Sequence, residues 1–98
     1  MTQPSVLVVE DEPAQRAVLT YNLESEGFRV VEAENGEEAL LLVSEEPPDV
    51  IVLDWMLPSV SGIEVCRQLK MRKETQALPI IMLSARSEEI DKIRGLET

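Results

Sequence analysis

The chain has 98 residues, 44% of them hydrophobic, which suits one small globular domain and excludes intrinsic disorder. Its net charge of −10 argues against nucleic-acid binding by this segment and suits divalent cations or basic partner surfaces. There is no histidine and one cysteine, Cys66, which excludes Ser–His and Cys–His catalysis, His-based metal sites and an internal disulfide. No run reaches the length of a membrane span, and Met1-Thr2-Gln3-Pro4 lacks a basic segment followed by an apolar one, so a cytoplasmic location is expected. With Tyr21, Phe28 and Trp55 as the only aromatics, the core must be aliphatic.

Ser5 to Val9 ends in Val6-Leu7-Val8-Val9, a run suited to a strand buried on both faces. Glu10, Asp11 and Glu12 follow at once. Pro13 fits the first turn of a helix, with Asp11 or Glu12 as its N-cap. From Pro13 to Glu26, the residues Ala14, Ala17, Val18, Tyr21 and Leu23 give an amphipathic pattern, and Gly27 reads as the C′ residue. Phe28 to Ala33 suits a shorter strand nearer a sheet edge.

Asn35 and Glu38 form a capping pair ahead of a second helix, which carries Ala39, Leu40, Leu42 and Val43 and stops before Pro47-Pro48. Val50-Ile51-Val52-Leu53 is the next buried-strand run and ends in Asp54. A loop from Trp55 to Val60 leads to Ser61-Gly62-Ile63-Glu64, a second capping pattern. Ile63, Cys66 and Leu69 make the apolar stripe of a third helix, and Lys70, Arg72 and Lys73 place positive charge near its C-terminal end. Glu74 to Ala77 reads as a loop. Ile80-Ile81-Met82-Leu83 is a fourth strand, ending at Ser84. Ser87 caps a last predicted helix with Ile90, Ile93 and Leu96. The order β-α-β-α-β-α-β-α implies an α/β fold: a doubly wound parallel sheet with right-handed crossovers and helices on both faces.

A parallel sheet delivers all its strand C-termini to one edge, where open α/β sheets bind ligands. Strand one brings Glu10 and Asp11 there, strand three Asp54, strand four Ser84. If strands one and three are neighbours, three carboxylates share a shallow pocket. Their repulsion raises one another's pKa, and a divalent cation relieves it; an oxygen-only donor set suits Mg²⁺. Asp54 is then a competent nucleophile for phosphoryl transfer, Ser84 a hydrogen-bond donor to a phosphoryl oxygen, and Ala85 small enough to leave the approach open. The competing reading makes these acids helix caps and solvated turns. The repetition of strand-then-acid, joined by strand-then-Ser, favours the functional one.

At these residues the sequence resembles the receiver domain of bacterial two-component response regulators. Val6-Leu7-Val8-Val9-Glu10-Asp11-Glu12 is similar to that family's first strand and acidic pair. Val52-Leu53-Asp54-Trp55-Met56-Leu57-Pro58 is similar to its phosphoacceptor strand and loop, Ser61-Gly62 to the turn before the third helix, and Met82-Leu83-Ser84-Ala85-Arg86 to the strand bearing the hydroxyl switch residue. The Asp-Trp-Met-Leu-Pro run and Arg94-Gly95-Leu96-Glu97-Thr98 resemble in particular phosphate-regulon regulators of the PhoB type.

The resemblance implies a flavodoxin/CheY-like sheet of strand order 2-1-3-4. It implies that Asp54 accepts phosphate from a sensor histidine kinase. Asp11 and Asp54 would bind Mg²⁺ with the Met56 backbone carbonyl, and Glu10 directly or through water. Ser84 would sense the phosphoryl group and Ala85 would flank it. Transcriptional control would run through an output domain. The family also has a fifth strand with a phosphate-contacting Lys, and a fifth helix. Neither is found in residues 1–98, and Lys92 does not match that Lys. The expectation is therefore a receiver domain over 1–98, incomplete at its C-terminus, prone to pair its fourth-strand edge or to form a homodimer, and weakened in phosphoryl transfer. Two alternatives stand beside it. One is an interaction module that is never phosphorylated. The other is a Mg²⁺-dependent phosphohydrolase of the haloacid dehalogenase type, which would want an Asp where Met56 stands.

Overall fold

Strand β1 (Ser5–Val9) is buried at every position, as its unbroken apolar run requires of a strand covered on both faces. In the computed structural model, residues 3–83 are described, and β1 is their centre. After it come α1 (Pro13–Ser25), β2 (Arg29–Ala33), α2 (Gly36–Glu45), β3 (Val50–Asp54), α3 (Gly62–Met71) and β4 (Ile80–Leu83). The four strands form one parallel sheet in the order β2-β1-β3-β4. That is the expected order. The helix predicted from Ser87 lies outside the described residues.

Alternation along β1 divides the core in two. Leu7 and Val9 point to the face covered by α2 and α3, where they meet Ile51, Leu53, Ala39, Val43, Val65 and Leu69. Val6 and Val8 point to the other face, where Val52 joins them under Leu19, Leu23 and Phe28. Burying a side chain of this size contributes about 1.5–3 kcal/mol, so the aliphatic strands are the main source of cohesion.

Two predicted helix faces are observed in part: Leu23 of α1, and Cys66 and Leu69 of α3, pack on the core as expected, and their predicted neighbours do not. On α1, Val18 and Tyr21 face outward, 55% and 71% exposed, and Leu19 and Leu23 pack on the sheet. The pair Leu19/Leu23 has helical i,i+4 spacing, but the small residues Ala14 and Ala17 extend an equally regular stripe on the wrong side. On α3 the buried residues are Gly62, Val65 and Leu69, with Cys66 partly buried and Ile63 half exposed.

The stretch 74–77 is tighter than a simple polar loop. Thr75 is buried, and its hydroxyl donates to the Leu69 carbonyl at 2.6 Å. Lys70 Nζ donates to the carbonyls of Gln76 and Leu78. These bonds satisfy main-chain acceptors at and beyond the end of α3.

Candidate functional site

Strands β1 and β3 are hydrogen-bonded neighbours, and Val9 pairs with Leu53. The next residue on each strand is therefore an acid, Glu10 beside Asp54. With Asp11 one step further, three carboxylates converge, each offering an oxygen within 4.8 Å of the others. Glu10 is buried at 8% exposure, Asp54 is half-buried and Asp11 is exposed, so the pocket opens to solvent on the Asp11 side.

Burial pushes the Glu10 carboxyl up to about 7. The Glu12 amide, donating to Glu10 Oε2 at 3.0 Å, opposes that shift; Asp54 and Asp11 add to it. A cation in the pocket would oppose that shift, because it favours the charged form of the carboxyl. The pocket's donors are all carboxylate oxygens, a hard set that fits Mg²⁺ rather than a soft metal.

The loop after Asp54 is held from several sides. Asp54 Oδ1 accepts from the Met56 amide at 3.1 Å, so this oxygen is turned toward its own loop. The Trp55 amide donates to Leu83 of β4 at 2.9 Å, and the Gly62 amide donates to the Trp55 carbonyl at 3.0 Å. A β-carbon on Gly62 would overlap the Asp54 carbonyl oxygen, which explains why only glycine fits at the start of α3. Ser59 within the loop adopts a left-handed φ of 64°, unusual for a residue with a side chain.

The expected caps are partly realised. Ser61 Oγ accepts from Glu64 N at 3.2 Å and Asn35 Oδ1 from Glu38 N at 2.8 Å. The reciprocal arms differ: Glu38 reaches back to the Glu34 amide, and Glu64 turns to Arg67 and Gln68. Glu12 sits at the N-cap of α1 without a side-chain bond to it. Instead Glu10, two residues earlier, receives the Glu12 amide.

The structure therefore brings together Glu10, Asp11 and Asp54 and sets Met56 in the adjoining turn. Ser84, Ala85 and Lys92 lie outside the described residues. Two polar pairings escaped sequence reasoning. At the opposite edge of the sheet, Asp49 accepts from the Ser5 amide at 2.7 Å across 44 residues of sequence. Beside the pocket, Arg16 Nη1 donates to the Glu10 carbonyl at 2.7 Å. The spacing of Arg16 and Thr20 on one helix face was the available signal for the second.

Comparison with known proteins adds a family. Residues 6–98 match the family model described as the response regulator receiver domain. The chain is 56% identical over 95 residues to the phosphate regulon transcriptional regulatory protein PhoB of Rhizobium meliloti, covering 97% of this chain and 42% of that protein. It is 52% identical over 92 residues to the alkaline phosphatase synthesis transcriptional regulatory protein PhoP of Bacillus subtilis, covering 94% of this chain and 38% of that protein. The chain thus spans about two-fifths of the length of these relatives. Among solved structures, the chemotaxis response regulator CheY4 of Vibrio cholerae superposes with a TM-score of 0.85 at 29% identity, covering 98% of this chain and 80% of that one.

Proposed function

The chain belongs to the response regulator receiver domain family, close to the PhoB and PhoP regulators, and on that premise we propose that Asp54 is its phosphoacceptor. The observation that carries this reading is the convergence of Glu10, Asp11 and Asp54 within 4.8 Å at the C-terminal edge of a parallel sheet. Receiver domains are signalling domains phosphorylated by sensor histidine kinases. An Asp54 carboxylate oxygen attacks the phosphorus of a phosphohistidine, the P–N bond breaks, and the imidazole leaves with the electron pair. The Met56 amide on Oδ1 leaves Oδ2 as the attacking oxygen.

Glu10, Asp11 and Asp54 would hold Mg²⁺, with the Met56 main-chain carbonyl as a further donor. Bound there, the ion would neutralise charge on the phosphoryl oxygens. Ser84 takes the switch role by resemblance, its hydroxyl meeting a phosphoryl oxygen, and Ala85 leaves that approach open. Such a switch is a local electrostatic event that biases a two-state element and, through it, partner or dimer contacts. The names of the PhoB and PhoP relatives support an output in transcription of phosphate-responsive genes. Against a phosphohydrolase stands Met56, where that chemistry wants a second carboxylate. No helix among the described residues is long and apolar enough to cross a membrane.

The direct test is transfer from an autophosphorylated sensor kinase. Label should pass to the wild-type protein and not to Asp54→Asn; label that reaches both equally would refute the assignment.

A further inference from the structure

Three carboxylates that repel one another must be held by something other than themselves. Glu10 is anchored at three points. Its amide donates to the Ala33 carbonyl at 3.1 Å, its side chain accepts from the Glu12 amide at 3.0 Å, and its carbonyl accepts from Arg16 Nη1 at 2.7 Å. The first two are bonds within the sheet and the turn. The third comes from a charged side chain on α1 that is itself only 14% exposed.

Arg16 is in turn fixed from behind. Its Nε lies 3.6 Å from Glu32 Oε1 on β2, and the other oxygen of Glu32 accepts from Thr20 Oγ1. Arg16 and Thr20 are one helical turn apart on α1, so a single β2 carboxylate engages both. The chain of hydrogen bonds and one ion pair runs Thr20–Glu32–Arg16–Glu10 carbonyl and ends at the peptide that carries the acidic turn.

We propose that Arg16 is a positioning residue for the Mg²⁺ site, its guanidinium fixing the Glu10 carbonyl, with Glu32 and Thr20 fixing the guanidinium. The inference rests on the reading of the acidic pocket as a cation site. Two effects of Arg16 oppose each other there. Its positive charge alone repels a cation, so removing the charge would tighten Mg²⁺ binding. Its hydrogen bond holds the Glu10–Asp11 turn where the carboxylates converge, so removing the bond loosens Mg²⁺ binding. A planar fork can meet Glu10 and Glu32 together, which a lysine ammonium does not reproduce. Outer partners that orient ligands typically change metal affinity by about 10–100-fold when lost, which makes positioning the larger effect.

The test is MgCl₂ titration followed by emission of Trp55, the only tryptophan of the chain and the neighbour of Asp54. Wild type, Arg16→Lys, Arg16→Gln and Glu32→Ala are compared, with amide NMR shifts of Glu10, Asp11 and Glu12 as a second readout. Arg16→Lys and Arg16→Gln should both weaken Mg²⁺ binding, by about tenfold. Glu32→Ala, at a half-exposed position on the edge strand β2, should weaken it less and move the same three amides. Arg16→Lys binding like wild type, or Arg16→Gln binding more tightly, would overturn the positioning role and leave only the charge. If the Arg16 variants do not fold, Glu32→Ala decides alone, and unchanged affinity in it overturns the proposal. Wild type without Mg²⁺ binding would overturn the cation reading and this inference with it.

Discussion

Gly62 lies so close to the carbonyl oxygen of Asp54 that a β-carbon on it would overlap that atom and meet Trp55 Cα at 2.9 Å. The first residue of α3 thus packs directly on the backbone of the proposed phosphoacceptor. Because the atoms met are main chain, they cannot swing aside. Gly62→Ala should destabilise the protein by about 1–3 kcal/mol despite alanine's better helix propensity. Urea unfolding measures this, and weakened Mg²⁺ binding in the same variant is expected because the strain falls on Asp54.

Glu10 makes stability depend on pH. Its carboxyl is raised from 4.5 to about 7 in the folded chain, with burial the main cause. Between those values the folded state binds more protons than the unfolded one, so stability without metal falls as pH rises from 4.5 through 7. The loss is on the order of 3 kcal/mol at most, and Glu10→Gln should flatten that part of the profile. Mg²⁺ affinity should move the opposite way, rising as Glu10 loses its proton. Chemical denaturation across this pH range, with and without Mg²⁺, checks both signs.

Ser59 holds a left-handed φ of 64° in the loop that follows Asp54. A side chain in that conformation costs about 1–2 kcal/mol, part of which glycine returns through greater freedom in the unfolded chain. Ser59→Gly should therefore be neutral or stabilising by up to about 1 kcal/mol. Ser59→Val should cost more than that, because a β-branched residue fits the left-handed region poorly. Thermal melts of the two variants are the check.

Asp49 and Ser5 tie together the starts of β3 and β1, the far ends of the strands that carry Asp54 and Glu10. Asp49→Ala leaves the buried Ser5 amide without its partner, at a cost of about 1–3 kcal/mol. Asp54 lies about 16 Å further along β3 at the usual rise per residue. Asp49→Ala should therefore lower the urea midpoint and leave Mg²⁺ affinity unchanged, which separates stability from site effects.

What the sequence made legible follows from periodicity. The runs Val6–Val9 and Val50–Leu53 are continuous and β-branched, so their burial on both faces could be read directly, and the acids that close them locate the pocket. The Val18/Tyr21 face of α1 reads as the inner one because Ala14 and Ala17 extend a regular stripe there, and only the sheet decides which stripe turns inward. Buried Thr75 and the Asp49–Ser5 bond carry no periodic signal at all. They satisfy main-chain groups across turns or across the sheet, where sequence distance says nothing. Arg16 differs from these: its spacing from Thr20 places both on one helix face, but a charged residue there reads as solvated until its partner strand is known.

The proposed role of Asp54 as phosphoacceptor of a Mg²⁺-dependent site is best tested by intact mass after treatment with acetyl phosphate. With Mg²⁺ present, the wild-type protein should gain one phosphoryl group that maps to Asp54. Asp54→Asn, and wild type treated with a chelator, should gain none. No phosphoryl gain in the wild type, or the same gain in Asp54→Asn, would exclude Asp54 as the phosphoacceptor.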